Sequence, residues 1–127
     1  MDYLELFADW PDTASFDAFA VIFSEQEPAD YVFVILSGEV ELSFHGESLG
    51  VEKRGAIIGE MAVIETASRS VTATALTPVI AARLDLQQFR SMIDKSSEFS
   101  LHAMSTLANR LRSADDFIRR KLQTSAD

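Results

Sequence analysis

The hydrophobic pattern changes period once, at Asp85, and the change divides the chain into a strand-forming part and a helical part. Upstream of it apolar residues come in short runs. "YVFVILS" (31–37) is apolar on both faces and reads as a buried strand. After Gly38, "EVELSF" alternates, with Val40, Leu42 and Phe44 on one face and Glu39, Glu41 and Ser43 on the other. Residues 16–24 lead into a first strand, and "SEQEPAD" is a turn. "HGES" is a second, tight turn, and Gly50 and Gly55 punctuate the stretch "LGVEKRGAIIGE". "SRSVTATAL" and "PVIAARLD" read as two further strands. Downstream the period is 3.6. Asp85 with Gln88 three residues on forms a capping-box pattern for a helix whose Leu86, Phe89 and Ile93 share a face. In the longer helix behind it, Met104, Leu107, Leu111, Ala114, Ile118 and Leu122 lie at nearly heptad spacing. Short strands succeeded by helices predict a mainly β fold with α, a β-roll or jelly-roll barrel over about residues 16–84. A short N-terminal helix in "DYLELFADW" precedes the roll, and helices over about 85–122 come after it, all in one domain spanning 1–127.

Composition excludes several classes of function. The net charge is −9, with 11 basic residues against 20 acidic ones, whereas a nucleic-acid binder needs a basic face. The basic concentration "NRLRSADDFIRRK" is broken by two aspartates and reads as a solvated helix face. With no cysteine there is no disulfide or thiolate metal site, and His45 and His102 are too few for a metal cluster. His102 reads as a helix-surface residue. There is no serine-nucleophile motif or clustered acid pair, so no catalytic activity and no cofactor are expected. No apolar run approaches the roughly 20 residues of a membrane helix, and the acidic N-terminus is unlike a signal peptide. The expectation is a cytoplasmic protein.

The segment "IIGEMAVIETASRSVTA" (57–73) carries the chemistry. Gly59 ends an extended run and feeds a short helix-compatible stretch. A helix start leaves backbone N–H groups unpaired and aimed one way, which suits a phosphate. The planar fork of Arg69 can take two phosphate oxygens, and Ser70 adds a small donor. Glu60, an acceptor as a carboxylate, repels phosphate but suits the hydroxyls of a ribose. The four groups together describe a nucleotide monophosphate site. The competing reading is a surface Glu60–Arg69 salt bridge worth under about 1 kcal/mol.

The order G-E-x-A, a variable stretch, then R-S-x-T resembles the phosphate-binding cassette of the cyclic nucleotide-binding domain family, whose members include the sensor domains of catabolite activator-type bacterial regulators. Gly59, Glu60, Ala62, Arg69, Ser70 and Thr72 fall on that motif. Gly38, Gly55, the hinge-like "LDLQQFRSMIDKSSEF" and the last helix extend the resemblance over about residues 16–122. It implies that Glu60 receives the ribose 2′-hydroxyl. Arg69, Ser70 and the amides of Met61 and Ala62 would hold the cyclic phosphate. The implied ligand is cyclic AMP, possibly cyclic GMP. The implied role is a sensor that signals by moving its C-terminal helices to an effector that the sequence does not identify. The alternative is a nucleotide-free interaction or dimerisation domain of the same fold. The Met104–Leu122 stripe packs either on its own roll or against a second copy as a homodimer. Phe19 and Gln26 stand where the family usually has glycine, so turns that need positive φ would strain both. Val71, where alanine is common, either crowds the nucleotide or packs in a strand.

Overall fold

The structure, a computed structural model, describes residues 3–60, 62 and 68–126, without the side chains of residues 3, 113, 114, 117 and 124–126. A 3-10 helix, Tyr3–Phe7, precedes eight strands: β1 Thr13–Phe16, β2 Val21–Phe23, β3 Val32–Ser37, β4 Val40–Phe44, β5 Glu47–Glu52, β6 Ile57–Ile58, β7 Thr72–Ala75 and β8 Val79–Leu84. Two α-helices complete the chain, α1 Leu86–Lys95 and α2 Ser97–Ala126. The strands form two four-stranded antiparallel sheets, ordered β1-β8-β3-β6 and β2-β7-β4-β5. The sheets face each other as a jelly-roll but do not close into a continuous barrel. The strand expected at residues 16–24 is β2, and a further strand, β1, precedes it across a turn at Asp17–Ala20.

The continuous apolar run of β3 has two separate cores to fill. Phe33 and Ile35 point between the sheets, against Phe23, Val40, Leu42, Ala73 and Ala81. Val32 and Val34 point the other way, against Phe89, Met92, Phe99 and Ala103 of the helices and Phe7 at the N-terminus. A strand buried on both faces cannot alternate, which is why its sequence does not. On β4, Val40 and Leu42 are buried as the alternation requires, while Phe44 reaches the edge of the sheet and is partly exposed.

Gly38 turns β3 into β4 with φ 94°, and a Cβ there would lie 2.3 Å from the Pro78 carbonyl oxygen. The capping box at the start of α1 is complete: the Gln88 amide donates to Asp85 Oδ1, and the Asp85 amide to Gln88 Oε1. Ser96 separates the two helices and caps the second, accepting from the Phe99 amide through Oγ. The N-terminal segment is tied to β8 by Arg83, whose guanidinium holds Asp12 at 2.7 Å, and by Trp10 Nε1, which donates to the Arg83 carbonyl.

The strain expected at two turns is present. Phe19 has φ 71° and Gln26 φ 69°. Both backbones are locked there by distant backbone: the Phe19 amide donates to the Ala75 carbonyl of β7 and the Gln26 amide to the Arg69 carbonyl before it, each at 2.7 Å. The ring of Phe19 is 77% exposed, so burial recovers little of the strain.

Candidate functional site

A cavity of about 630 Å³ opens between the second sheet, the segment around Gly59 and the C-terminal helix. Its size falls in the range of small-molecule sites. Phe23, Leu42, Phe44 and Leu49 from the sheet and Leu107, Leu111 and Ile118 from α2 give it a largely apolar wall. Gly59, Glu60, Ala62, Arg69 and Ser70 line one end. Five of the six sequence-expected site residues are therefore brought together. The sixth, Met61, lies outside the described residues, as do residues 63–67 of the expected cassette helix. Glu60 and Ala62 on either side of Met61 have helical backbone.

Gly59 ends the β6 run with φ 79°. A Cβ at that position would stand 2.3 Å from Arg69 Nη1, so the arginine occupies the space a side chain would need. Arg69 is 5% exposed. Its Nη1 donates to the Gly59 carbonyl at 2.9 Å and its Nη2 to the Tyr31 carbonyl at 2.7 Å. The guanidinium lies 4.2 Å from the centre of the Phe23 ring, a cation–π contact that supports the group on one face. Two carbonyls use two of its five N–H groups. Nε is buried and has no hydrogen-bond partner among the described residues. Burial lowers the Arg69 pKa, against the opposing pull of Asp30, Glu27 and Glu60.

Glu60 is 2% exposed, and its Oε1 is likewise buried without a hydrogen bond among the described residues. Burial raises its pKa above the ordinary glutamate value of 4.5, against the pull of the Arg110 guanidinium and of its own backbone amide. The surface salt bridge between Glu60 and Arg69 is not what forms. Both residues are buried, and the ion-pair partner of Glu60 is Arg110, with Nε 3.6 Å from Oε1.

Arg110 is the residue that sequence reasoning missed. It belongs to the basic stretch taken for a solvated face, where Arg112, Asp115, Asp116, Arg119, Arg120 and Lys121 are exposed as expected and Arg110 is half-buried. Arg110 reaches across from α2, with Nη1 donating to Glu52 Oε1 at 2.6 Å and Nη2 to the Ile57 carbonyl at 3.0 Å. Its place three residues after Leu107, a cavity residue on the same helix, was the available signal. His102 also departs from expectation. It is half-buried, and its Nε2 lies 2.7 Å from the Gly55 carbonyl oxygen, joining α2 to the turn before β6. A carbonyl can only accept, so this nitrogen carries the proton. Val71 lies just before β7 rather than in a strand, packs on the core between the sheets and also lines the cavity.

The sequence profile of the cyclic nucleotide-binding domain matches residues 13–96. Over 96 residues the chain is 30% identical to a CRP-like cAMP-activated global transcriptional regulator of Mycobacterium tuberculosis, an alignment covering 72% of this chain and 43% of that protein. Over 97 residues it is 30% identical to a cGMP-dependent protein kinase of Caenorhabditis briggsae, covering 67% of this chain and 13% of the kinase. The chain thus spans less than half the length of these curated relatives. The crystal structure of Thermus thermophilus catabolite activator protein superposes with a TM-score of 0.74 at 21% identity, covering 95% of this chain and 58% of that one, a likeness of fold. The profile match starts with β1 and stops at the joint between α1 and α2, taking in both sheets and the polar end of the cavity; the chain belongs to the cyclic nucleotide-binding domain family.

Proposed function

We propose that the domain senses a cyclic nucleotide, cyclic AMP in the first place, bound in the 630 Å³ cavity. The observation that carries this reading is a pair of orphaned atoms on one cavity: a carboxylate oxygen of Glu60 and the Nε–H of Arg69, both buried and both without a hydrogen-bond partner among the described residues. A buried polar atom left unpaired costs about 1–3 kcal/mol. A ligand that offers a hydroxyl to the first and an anionic oxygen to the second removes both costs, and a ribose cyclic phosphate has both groups. Glu60 accepts the 2′-hydroxyl. Arg69 faces the phosphate with its remaining N–H groups, assisted by Ser70 and the amides of Met61 and Ala62. The apolar wall of Phe44, Leu49, Leu107, Leu111 and Ile118 receives the base. The choice of cyclic AMP over cyclic GMP leans on the likeness to the bacterial cAMP-activated regulator.

In this reading the output is a shift of α2, which supplies both Arg110 and the apolar roof. A ligand biases that helix only by the difference in its affinity for the two positions. Met104 and Leu122 are exposed along α2, and Leu111 and Ile118 line the cavity yet keep most of their surface exposed, which favours a homodimer through that helix. The effector protein is whatever meets α2 or the dimer it forms.

Thermal unfolding tests the reading. Cyclic AMP at about 100 times its dissociation constant adds about 2.7 kcal/mol, which for a domain of this size raises the melting temperature by roughly 10 °C. No shift with millimolar cyclic AMP or cyclic GMP would transfer the domain to the alternative role, a nucleotide-free interaction module.

A further inference from the structure

Strand β5 and helix α2 meet through charges at two points. Glu47 and Glu52 stand at the two ends of β5. Lys121 Nζ lies 2.5 Å from Glu47 Oε1, and Arg110 Nη1 lies 2.6 Å from Glu52 Oε1. The five-residue step from Glu47 to Glu52 covers about 16 Å of strand. The eleven-residue step from Arg110 to Lys121 covers about 16 Å of helix, and three full turns return Lys121 to within about 20° of the face that carries Arg110. Strand and helix run in opposite directions. The two pairs therefore match in length, face and sign. Between them, Leu49 in the middle of β5 faces Arg119, Arg120 and Gln123 across a second hollow of about 510 Å³. Leu111 and Ile118 on the intervening helix are themselves largely exposed. Among the described residues of this half of α2, apolar packing on the strand is sparse.

We propose that the two ion pairs form an electrostatic strap that keeps α2 in register along β5, with Lys121–Glu47 as the catch that releases. The two ends differ in a way that suits this division. Arg110 also holds the Ile57 carbonyl and sits 3.6 Å from Glu60, so its end is anchored in the roll. Glu47 and Lys121 are each about half exposed, in the range where ion pairs are weak and screened by salt. Opening the catch swings the distal helix away from β5 and uncovers the cavity wall made by Leu111 and Ile118. The effect on ligand exchange rests on the cyclic nucleotide reading; the strap itself does not.

Because the chain has no cysteine, spin labels attach uniquely at Ser48→Cys on β5 and Gln123→Cys on α2. Pulsed electron paramagnetic resonance on the ligand-free protein at low salt reads the distance between them. The strap predicts one short, narrow distribution in that background. It becomes longer and broader with Glu47→Lys or Lys121→Glu, and returns in the swapped Glu47→Lys/Lys121→Glu protein. Dissociation of cyclic AMP is expected to quicken up to about fivefold in each single reversal and to recover in the swap. Single reversals that leave the distance unchanged, or a swap that fails to restore it, overturn the strap. A protein that shows the distance changes yet binds no cyclic AMP keeps the strap and refutes the reading of the cavity.

Discussion

A carboxylate with almost no solvent contact is a costly thing to keep in a small domain, and one oxygen of Glu60 has no hydrogen bond among the described residues. Burial raises its pKa, the Arg110 charge opposes the rise, and the net direction is upward. The folded protein therefore holds this proton to higher pH than the unfolded chain does. Stability falls as pH rises from the ordinary value of 4.5 through the raised value, and the loss is complete above it. Glu60→Gln removes that titration. Ligand-free Glu60→Gln is expected to match wild type below about pH 4 and to exceed it by about 1 kcal/mol at neutral pH. Urea unfolding of both proteins across that range checks this, and a wild type at least as stable as the variant at pH 7 contradicts it. At this scale the sequence was legible where one residue type has one chemical use. Glu60 and Arg69 stood out because a carboxylate and a planar fork differ in what their atoms can bind, and the structure brings both to one cavity. Arg110 was not, because a basic residue in a charged helix looks the same in sequence whether it faces water or spans to a buried glutamate.

The helix α2 does two jobs along one length. Its first turns are core, with Phe99, Ala103 and Thr106 buried beneath it. Farther along it roofs the cavity with Leu107, Leu111 and Ile118 while leaving Leu111 73% exposed. The heptad-like spacing marked these residues as apolar and aligned, but spacing alone cannot separate a roof from a dimer seam, since both need a stripe. The strands were read more completely. Alternation in β4 and the two-sided apolar run of β3 reflect the faces they bury, and the Asp85 capping box reflects backbone donors that only those side chains reach. Strand β1 was not read separately, because the four residues Thr13–Phe16 are too short a window to show a period. The dimer proposed through α2 makes a direct prediction. Leu111→Glu, placed at an exposed position, should leave the domain folded and shift light scattering from dimer to monomer. Wild type that is already monomeric at high concentration removes the dimer. A mutant that unfolds would mean the stripe packs on its own roll after all.

For the molecule as a whole, the fold places two opposite charges at one end of an apolar cavity and lays a single helix across the other. In a −9 chain the cavity balances Arg69 and Arg110 against Glu52 and Glu60, which leaves it locally less acidic than the rest of the molecule. That the chain divides into a β part and a helical part could be read from the single change of period at Asp85. How the two parts are joined, through Arg110, His102 and Lys121, could not, because the contacts lie 47 to 74 residues apart in sequence. The division of labour between Glu60 and Arg69 is the centre of the account, and calorimetric titration of wild type, Arg69→Lys and Glu60→Gln with cyclic AMP and its 2′-deoxy analogue tests it most directly. Arg69→Lys keeps the charge and loses the fork, so cyclic AMP should bind roughly ten- to a hundred-fold more weakly while still being preferred over the deoxy analogue. Glu60→Gln should also bind more weakly and should largely lose that preference. If both variants bind cyclic AMP as tightly as wild type, Glu60 and Arg69 are not the sugar and phosphate contacts, and the account fails at its centre.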